Sequence, residues 1–156
     1  MAGTLTPIRA EMRRAGPADV TAIHDLTRAA YAKWVPVIGR EPKPMAADYA
    51  RAVRDHRIDL LHIGGELVAL VETVPQGEHL LIESVAVAPA FQRHGLGRRL
   101  VAHAEHLAAD LGLREVRLYT NTLFGNNVQL YGKLGYRVDR EEPLTGGRLV
   151  HMSKAI

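Results

Sequence analysis

The chain has 156 residues, no cysteine, and 20 basic against 17 acidic side chains, for a net charge of +3. Without cysteine, disulfides, Cys-ligated zinc and a cysteine nucleophile are excluded, and the length suits one domain over residues 1–156, with a core spanning about 9–154. Hydrophobic residues make up 47% and charged residues 24%, the balance of a soluble globular protein. No apolar run approaches the ~20 residues a membrane span needs. The stretch from Met1 to Arg9 lacks the apolar centre of a secretory signal, so a cytoplasmic location without membrane contact is expected. The mild basic excess suits an anionic ligand and is too small to point to nucleic acid.

Ile8, Ala10, Met12 and Arg14 alternate as a first strand, which Gly16-Pro17 breaks. Val20, Ile23, Leu26, Ala30, Tyr31 and Trp34 recur at helical spacing and predict a helix ending near Pro36. Residues 36–44, with three prolines and Gly39, read as a loop, and residues 45–56 as a second short helix. Residues 59–63, 67–74 and 80–87 read as strands of an antiparallel meander. Gly64-Gly65 joins the first two as a hairpin, and Pro75-Gln76-Gly77 turns between the last two. Leu96, Leu100, Ala104, Leu107 and Leu111 form the stripe of a long helix, with Gly112 as its C′ residue. Residues 115–120 alternate again. Asn126 or Asn127 caps a short helix carrying Leu130 and Leu134, which Gly135 ends. Residues 136–140 and 149–153 are strands joined through Thr145-Gly146-Gly147. The order β-α-α-β-β-β-α-β-α-β-β predicts an α/β fold, a mostly antiparallel mixed sheet with one parallel pair, flanked by helices.

One segment carries chemistry. Residues 83–100 read Glu-Ser-Val-Ala-Val-Ala-Pro-Ala-Phe-Gln-Arg-His-Gly-Leu-Gly-Arg-Arg-Leu: a strand, a glycine-containing loop and a helix start. The first helical N–H groups lack internal partners and point outward with the positive end of the helix dipole. Gly95 and Gly97 let a phosphate approach the backbone, and Arg93, His94, Arg98 and Arg99 add positive charge. The glycines alone fit a plain helix start equally well. The spacing is neither a P-loop nor a dinucleotide fingerprint.

Val-Ala-Val-Ala-Pro followed by Gln92, Gly95 and Gly97 resembles the acetyl-coenzyme A signature of the GNAT superfamily of N-acetyltransferases. A second piece, Asn127-Val-Gln-Leu-Tyr131-Gly-Lys-Leu-Gly135-Tyr136, resembles that family's late helix. The element order matches from about Arg9 to Lys154, with a splayed parallel pair at the sheet's centre implied by the resemblance. In one departure, Phe124 stands where many members have Asn, seven residues before the Tyr. Asn127 stands where Ala is frequent. The cofactor contact of the missing Asn falls to Asn127 or to no side chain.

The resemblance implies acetyl-CoA as co-substrate, its pyrophosphate held by Arg93, His94, Gly95, Leu96, Gly97 and Arg98, with Gln92 shaping the turn. The pantetheine arm is expected to pair with the main chain of Val85, Ala86 and Val87. Glu83 shares a strand face with Val85 and is the candidate base, although a half-exposed strand Glu has the same pattern. Glu72, on the preceding strand at the acceptor side, is the runner-up. Tyr131 is the candidate acid, since a phenol titrating near ~10 stays protonated at neutral pH. Tyr31, Trp34 and Met45 are assigned to the acceptor pocket, although their spacing also suits a core. His103 and His106 lack the further ligands a metal needs, so no metal is expected. The expected activity is direct acetyl transfer in a ternary complex to a primary amine of a small molecule or peptide, the small molecule being favoured. Homodimerisation, frequent in the family, is left open. The alternative is a catalytically silent acyl-CoA sensor on the same fold.

Overall fold

A computed structural model describes residues 9–156; Ile8 and the segment before it lie outside the described residues. β1 (Ala10–Arg14) pairs antiparallel with β2 (Arg57–Ile63), β2 with β3 (Glu66–Gln76), and β3 with β4 (His79–Val87). β4 pairs in parallel with β5 (Glu115–Asn121). β7 (Arg148–Ala155) lies antiparallel between β5 and β6 (Arg137–Pro143), giving the order β1-β2-β3-β4-β5-β7-β6. The expected mixed sheet with a single parallel pair is therefore present.

Helices cover both faces. α1 (Val20–Tyr31) and α3 (Tyr49–Asp55) pack Ile23, Leu26 and Tyr49 on Leu60, Leu70 and Ala86. On the opposite face α4 (Leu96–Asp110) packs Leu100, Val101, Ala104 and Leu107 on Val71, Leu80, Ile82, Val116 and Leu118. α5 (Asn127–Lys133) lies on that face too, with Val128 and Tyr131 against the same core. No helix among the described residues is long and apolar enough to cross a membrane.

The structure differs from the sequence reading at several boundaries. Pro36 opens a helix instead of ending one. It occupies the first turn of α2 (Val35–Ile38), reached through a 3-10 turn at Ala32–Trp34, where its missing N–H has no partner to lose. Gly39, at φ 76°, ends α2. The second short helix, expected over residues 45–56, begins at Tyr49 and not at Met45, because Asp48 caps it, accepting the Arg51 N–H at 3.1 Å. Met45 sits instead in a 3-10 turn, Lys43–Ala46. β3 runs through Pro75, which lies beyond the end of β2 opposite Thr73 and so has a free edge. Leu111 is 51% exposed because α4 ends just before it.

Both motif-bearing helices end in the same C-cap. At α4 the Gly112 N–H reaches Ala109 O and the Leu113 N–H reaches Ala108 O. At α5 the Gly135 N–H reaches Gly132 O and the Tyr136 N–H reaches Tyr131 O. This paired 5→2 and 6→1 pattern places an apolar residue beyond the glycine against the helix turn five residues back. The spacing of Tyr131, Gly135 and Tyr136 is that geometry, and the two tyrosine rings meet edge-to-face at 6.1 Å.

Candidate active site

The parallel ladder between β4 and β5 covers four pairs only, from His79↔Glu115 to Ile82↔Leu118. Beyond them the strands part. The break coincides with a bulge: Glu72 pairs with Ser84 and Thr73 with Ile82, which leaves Glu83 as the extra residue on β4. A bulge bends its strand and re-aims side chains. After it, Val85 and Val87 turn toward the α4 core while Ala86 packs on the α1 side.

Parting exposes one edge of β4. Val85 and Val87 are two apart, so their main-chain groups point the same way. Their carbonyls are held by side chains in place of a strand. The Tyr31 hydroxyl donates to Val85 O at 3.0 Å and lies 3.2 Å from Ser84 Oγ. Gln92 Nε2 donates to Val87 O at 3.0 Å. Ala88, on the other parity, donates its N–H to Val68 O of β3. By the same alternation Ala86 faces β3, so only Val85 and Val87 present main-chain N–H groups to the gap.

A cleft of about 800 Å³ fills the space between the parted strands. Tyr31, Trp34, Glu83, Val85, Val87, Gln92, Gly97, Arg98, Asn127 and Tyr131 all line it, so most of the residues singled out from sequence come together. At one end stands the start of α4. Gly95 is its N-cap at φ 80°, with no side-chain cap and no acidic residue in the first turn. That conformation calls for glycine. Gly97 is different: a Cβ there would meet nothing within 4 Å, and its φ is not in the left-handed region. Neither the backbone nor a protein neighbour requires glycine at 97. The open space over Gly97 leaves room for a ligand close against the backbone, and free helix N–H groups beside Arg98 fit a phosphate. Arg93 takes φ 66°, unusual for a residue with a side chain, and holds the loop in its turn. Lys33 adds a cation from the α1 side, its Nζ donating to Gln92 Oε1 at 2.6 Å. Burial, then the neighbouring Arg93, lowers its pKa.

The other titratable groups meet where the strands part. The Tyr119 hydroxyl of β5 donates to Glu83 Oε1 at 2.8 Å, across the opening. Burial raises the Tyr119 pKa, and the Glu83 charge raises it further. Tyr131 is pushed up to about 12 by burial and by the nearby Tyr31, which keeps its phenol protonated at physiological pH.

Other predicted residues stand elsewhere. Met45 is 4% exposed and does not line the cleft; it is core, its carbonyl accepting from Arg28 Nη1 at 2.9 Å. Glu72 is buried on the α1 face, with His56 Nδ1 2.6 Å from Oε2. Burial raises its pKa against the opposing pull of His56. Arg93, His94 and Leu96 belong to the loop and helix start but do not face the cleft, and Leu96 packs on the core. Asn127 lines the cleft and donates from Nδ2 to Thr120 Oγ1 at 3.3 Å. Asn126 is the α5 N-cap residue, without a side-chain cap bond. His103 contacts Asp59 at 3.1 Å.

Three residues were missed from sequence. Tyr119 stands next after the Ile82–Leu118 pair in a parallel register that only the structure gives. Lys33 had no signal beyond its charge. Phe124, noted only as a departure, stacks on Trp34 at 4.9 Å and 18°, and meets Tyr31 edge-on at 6.5 Å. It joins α1 to the β5–α5 connection across the cleft.

The same fold recurs in solved structures. PaiA N-acetyltransferase from Thermoplasma acidophilum, in complex with coenzyme A, matches with a TM-score of 0.80 at 15% identity, over 96% of this chain and 100% of that one. The ribosomal-protein-S18-alanine N-acetyltransferase from Escherichia coli matches with a TM-score of 0.79 at 20% identity, over 95% and 94%. A GNAT family acetyltransferase from Elizabethkingia anophelis with acetyl-CoA bound matches with a TM-score of 0.75 at 15% identity, over 94% and 98%. At these identities the likeness is one of fold. The sequence itself goes further, since the profile of the acetyltransferase (GNAT) family matches residues 21–136, from α1 through the Gly135-Tyr136 cap. The chain therefore belongs to the acetyltransferase (GNAT) family.

Proposed function

We propose that the cleft binds acetyl-CoA and serves direct transfer of the acetyl group to the primary amine of a small-molecule acceptor in a ternary complex. The observation that carries this reading is the end of the parallel ladder at Ile82–Leu118. It leaves the Val85 and Val87 edge free beside Tyr131, with Glu83 at the branch and the α4 N-terminus at the far end of the same cleft.

The cofactor, when bound, supplies an activated acetyl thioester. The Leu96, Gly97 and Arg98 amides with the Arg98 side chain would hold its phosphates, and the open space over Gly97 supports that assignment. The N–H groups of Val85 and Val87 suit pairing with an extended amide-bearing arm, and one of them can polarise a carbonyl. An alkylammonium must shed a proton before its nitrogen is nucleophilic. Glu83 is the carboxylate placed to take it, directly or through water. As the C–N bond forms and the C–S bond breaks, Tyr131 would give its proton to the departing sulfur and recover the nitrogen's second proton, directly or through water, while Glu83 releases the first proton to solvent. Since the reaction has no step needing a covalent enzyme intermediate, the lack of cysteine costs it nothing.

A Tyr131→Phe variant tests the assignment. The kcat for thiol release should fall at least ~100-fold, the usual scale of a lost general acid, while acetyl-CoA affinity by calorimetry stays within about twofold, because no main-chain contact is touched. An unchanged kcat would remove Tyr131 from the chemistry. A panel of amines in the same assay separates an enzyme from a silent acyl-CoA sensor.

A further inference from the structure

The cleft is lined by an excess of positive charge, and two of its cations stand at the end away from α4. Four cations line it, Lys33, Arg40, Lys43 and Arg98, against two carboxylates, Glu83 and Glu41. Glu41 is engaged by Arg28 at 2.8 Å. Lys33 and Arg98 stand at the glycine-loop end. Arg40 and Lys43 belong to the segment after α2, on the acceptor side, and neither forms an ion pair among the described residues. Arg40 is held in place: its Nε donates to Thr145 O at 3.2 Å and its Nη1 reaches Glu41 O at 3.5 Å, leaving Nη2 free to serve a ligand.

The same end is walled. A Cβ on Gly146 would collide with Ile38 O, and one on Gly147 with Asn121 Oδ1. Asn121 Nδ2 donates to Gly146 O at 2.8 Å. The β6–β7 loop is thus seated on the end of α2 and on β5, with Leu144 and Leu149 turned to the cleft. A polypeptide laid across the sheet would have to displace these backbone contacts.

From this charge pattern we infer that the acceptor is a small amine that also carries an anionic group, a carboxylate or phosphate, on an apolar frame. The amine goes to Glu83 and the anion to Arg40 and Lys43. A polycation would meet Arg40 and Lys43 with only one uncommitted carboxylate to hold it, and each unrelieved like charge weakens binding. The inference rests on the acetyltransferase reading of this cleft.

The test is acetyl-CoA-dependent thiol release with matched acceptors. These are leucine, 4-aminobutanoate and 6-aminohexanoate, each beside the amine lacking its carboxylate, together with O-phosphoethanolamine, spermidine and a C-terminally amidated tetrapeptide with uncharged side chains. At least one anionic amine should exceed its decarboxylated partner by tenfold or more in kcat/KM, and should exceed spermidine and the tetrapeptide. The phosphate arm tells which anion is preferred. Arg40→Gln and Lys43→Gln should each shrink that ratio by raising the KM of the anionic amine, and Arg40→Lys should restore most of it. Neutral amines, spermidine or the tetrapeptide used equally well or better would overturn the inference. So would a full ratio in both Gln variants. If no amine is turned over, the inference also falls, and calorimetry with acetyl-CoA decides the cofactor reading separately: retained binding would leave that reading standing.

Discussion

The two ends of the cleft are built on opposite plans. The proposed cofactor end is local: β4, the glycine loop and the start of α4 follow one another within residues 79–110, and its polar groups are chiefly main chain. The acceptor end is assembled from four separated segments. Tyr31 and Trp34 come from α1 and the turn after it, Arg40 from the segment after α2, Tyr119 from β5, and Leu144 and Leu149 from the β6–β7 region. A ligand common to a family can be held by backbone geometry, which tolerates side-chain change. A ligand particular to one protein has to be read by side chains. The contrast predicts that the two ends can be damaged independently.

The largest separation should come from Glu83→Gln. Loss of the base should lower kcat/KM for the amine by ~10²–10⁴-fold, while acetyl-CoA affinity holds, as read by steady-state kinetics beside calorimetry. Equal losses at both ends would break the comparison. Gln92→Ala attacks the other end. It removes the bonds to Val87 O and Lys33, and should raise KM for acetyl-CoA about five- to tenfold, the scale of one lost bond, with the amine KM unmoved. Tyr119→Phe acts on the same carboxylate as Glu83→Gln and is milder than it. Glu83 keeps its place on the bulge but loses the 2.8 Å donor that orients it, so kcat should fall about tenfold, with cofactor affinity intact.

The smallest effect lies outside both ends. Arg13 donates to Asp19 at 2.6 and 2.9 Å, and the Gly16 N–H at 2.8 Å. Together they hold the Asp19 carboxyl at about 2, below its ordinary 3.8. A depressed carboxylate stabilises the fold above its unfolded pKa and loses that contribution as pH falls toward 2. Asp19→Asn should therefore cost about 1 kcal/mol at pH 7, given partial exposure to solvent. The difference should shrink below pH 4, and the kinetics should be unchanged. Urea unfolding at pH 7 and at pH 3 checks the sign.

The same division explains what was legible in the sequence. Gly64-Gly65, Gly112 and Gly135 each stand at positive φ where a turn or cap requires it, so the element order could be read from local chemistry. The glycine loop and the Tyr131-x-x-x-Gly135-Tyr136 cap are also local, and Gln92, Gly97 and Tyr131 from them line the cleft. What stayed hidden depends on contacts between distant segments. The reversal of facing after Glu83 comes from a bulge defined only by the register against β3. Met45 has the spacing of a pocket residue, yet the cap at Asp48 starts the helix later and leaves Met45 in the core. Glu72 has the chemistry of a base, but its cross-strand partner Ser84 sets it on the α1 face with His56. Tyr119 and Arg40 have no sequence signature, because their roles arise only when β5 and the segment after α2 reach the opening.

The central claim is that the free β4 edge and the α4 N-terminus bind acetyl-CoA in the cleft. Calorimetric titration of acetyl-CoA into the wild-type protein and a Gly97→Glu variant tests it most directly. Gly97 has open space where its Cβ would be, so the glutamate should fold without strain and place bulk and negative charge against the phosphates. The account predicts one saturable site per chain in the wild type and an affinity loss of at least ~100-fold in the variant, from bulk and like charge set against the phosphates. Equal affinity in the two proteins, or no binding by the wild type, would contradict it.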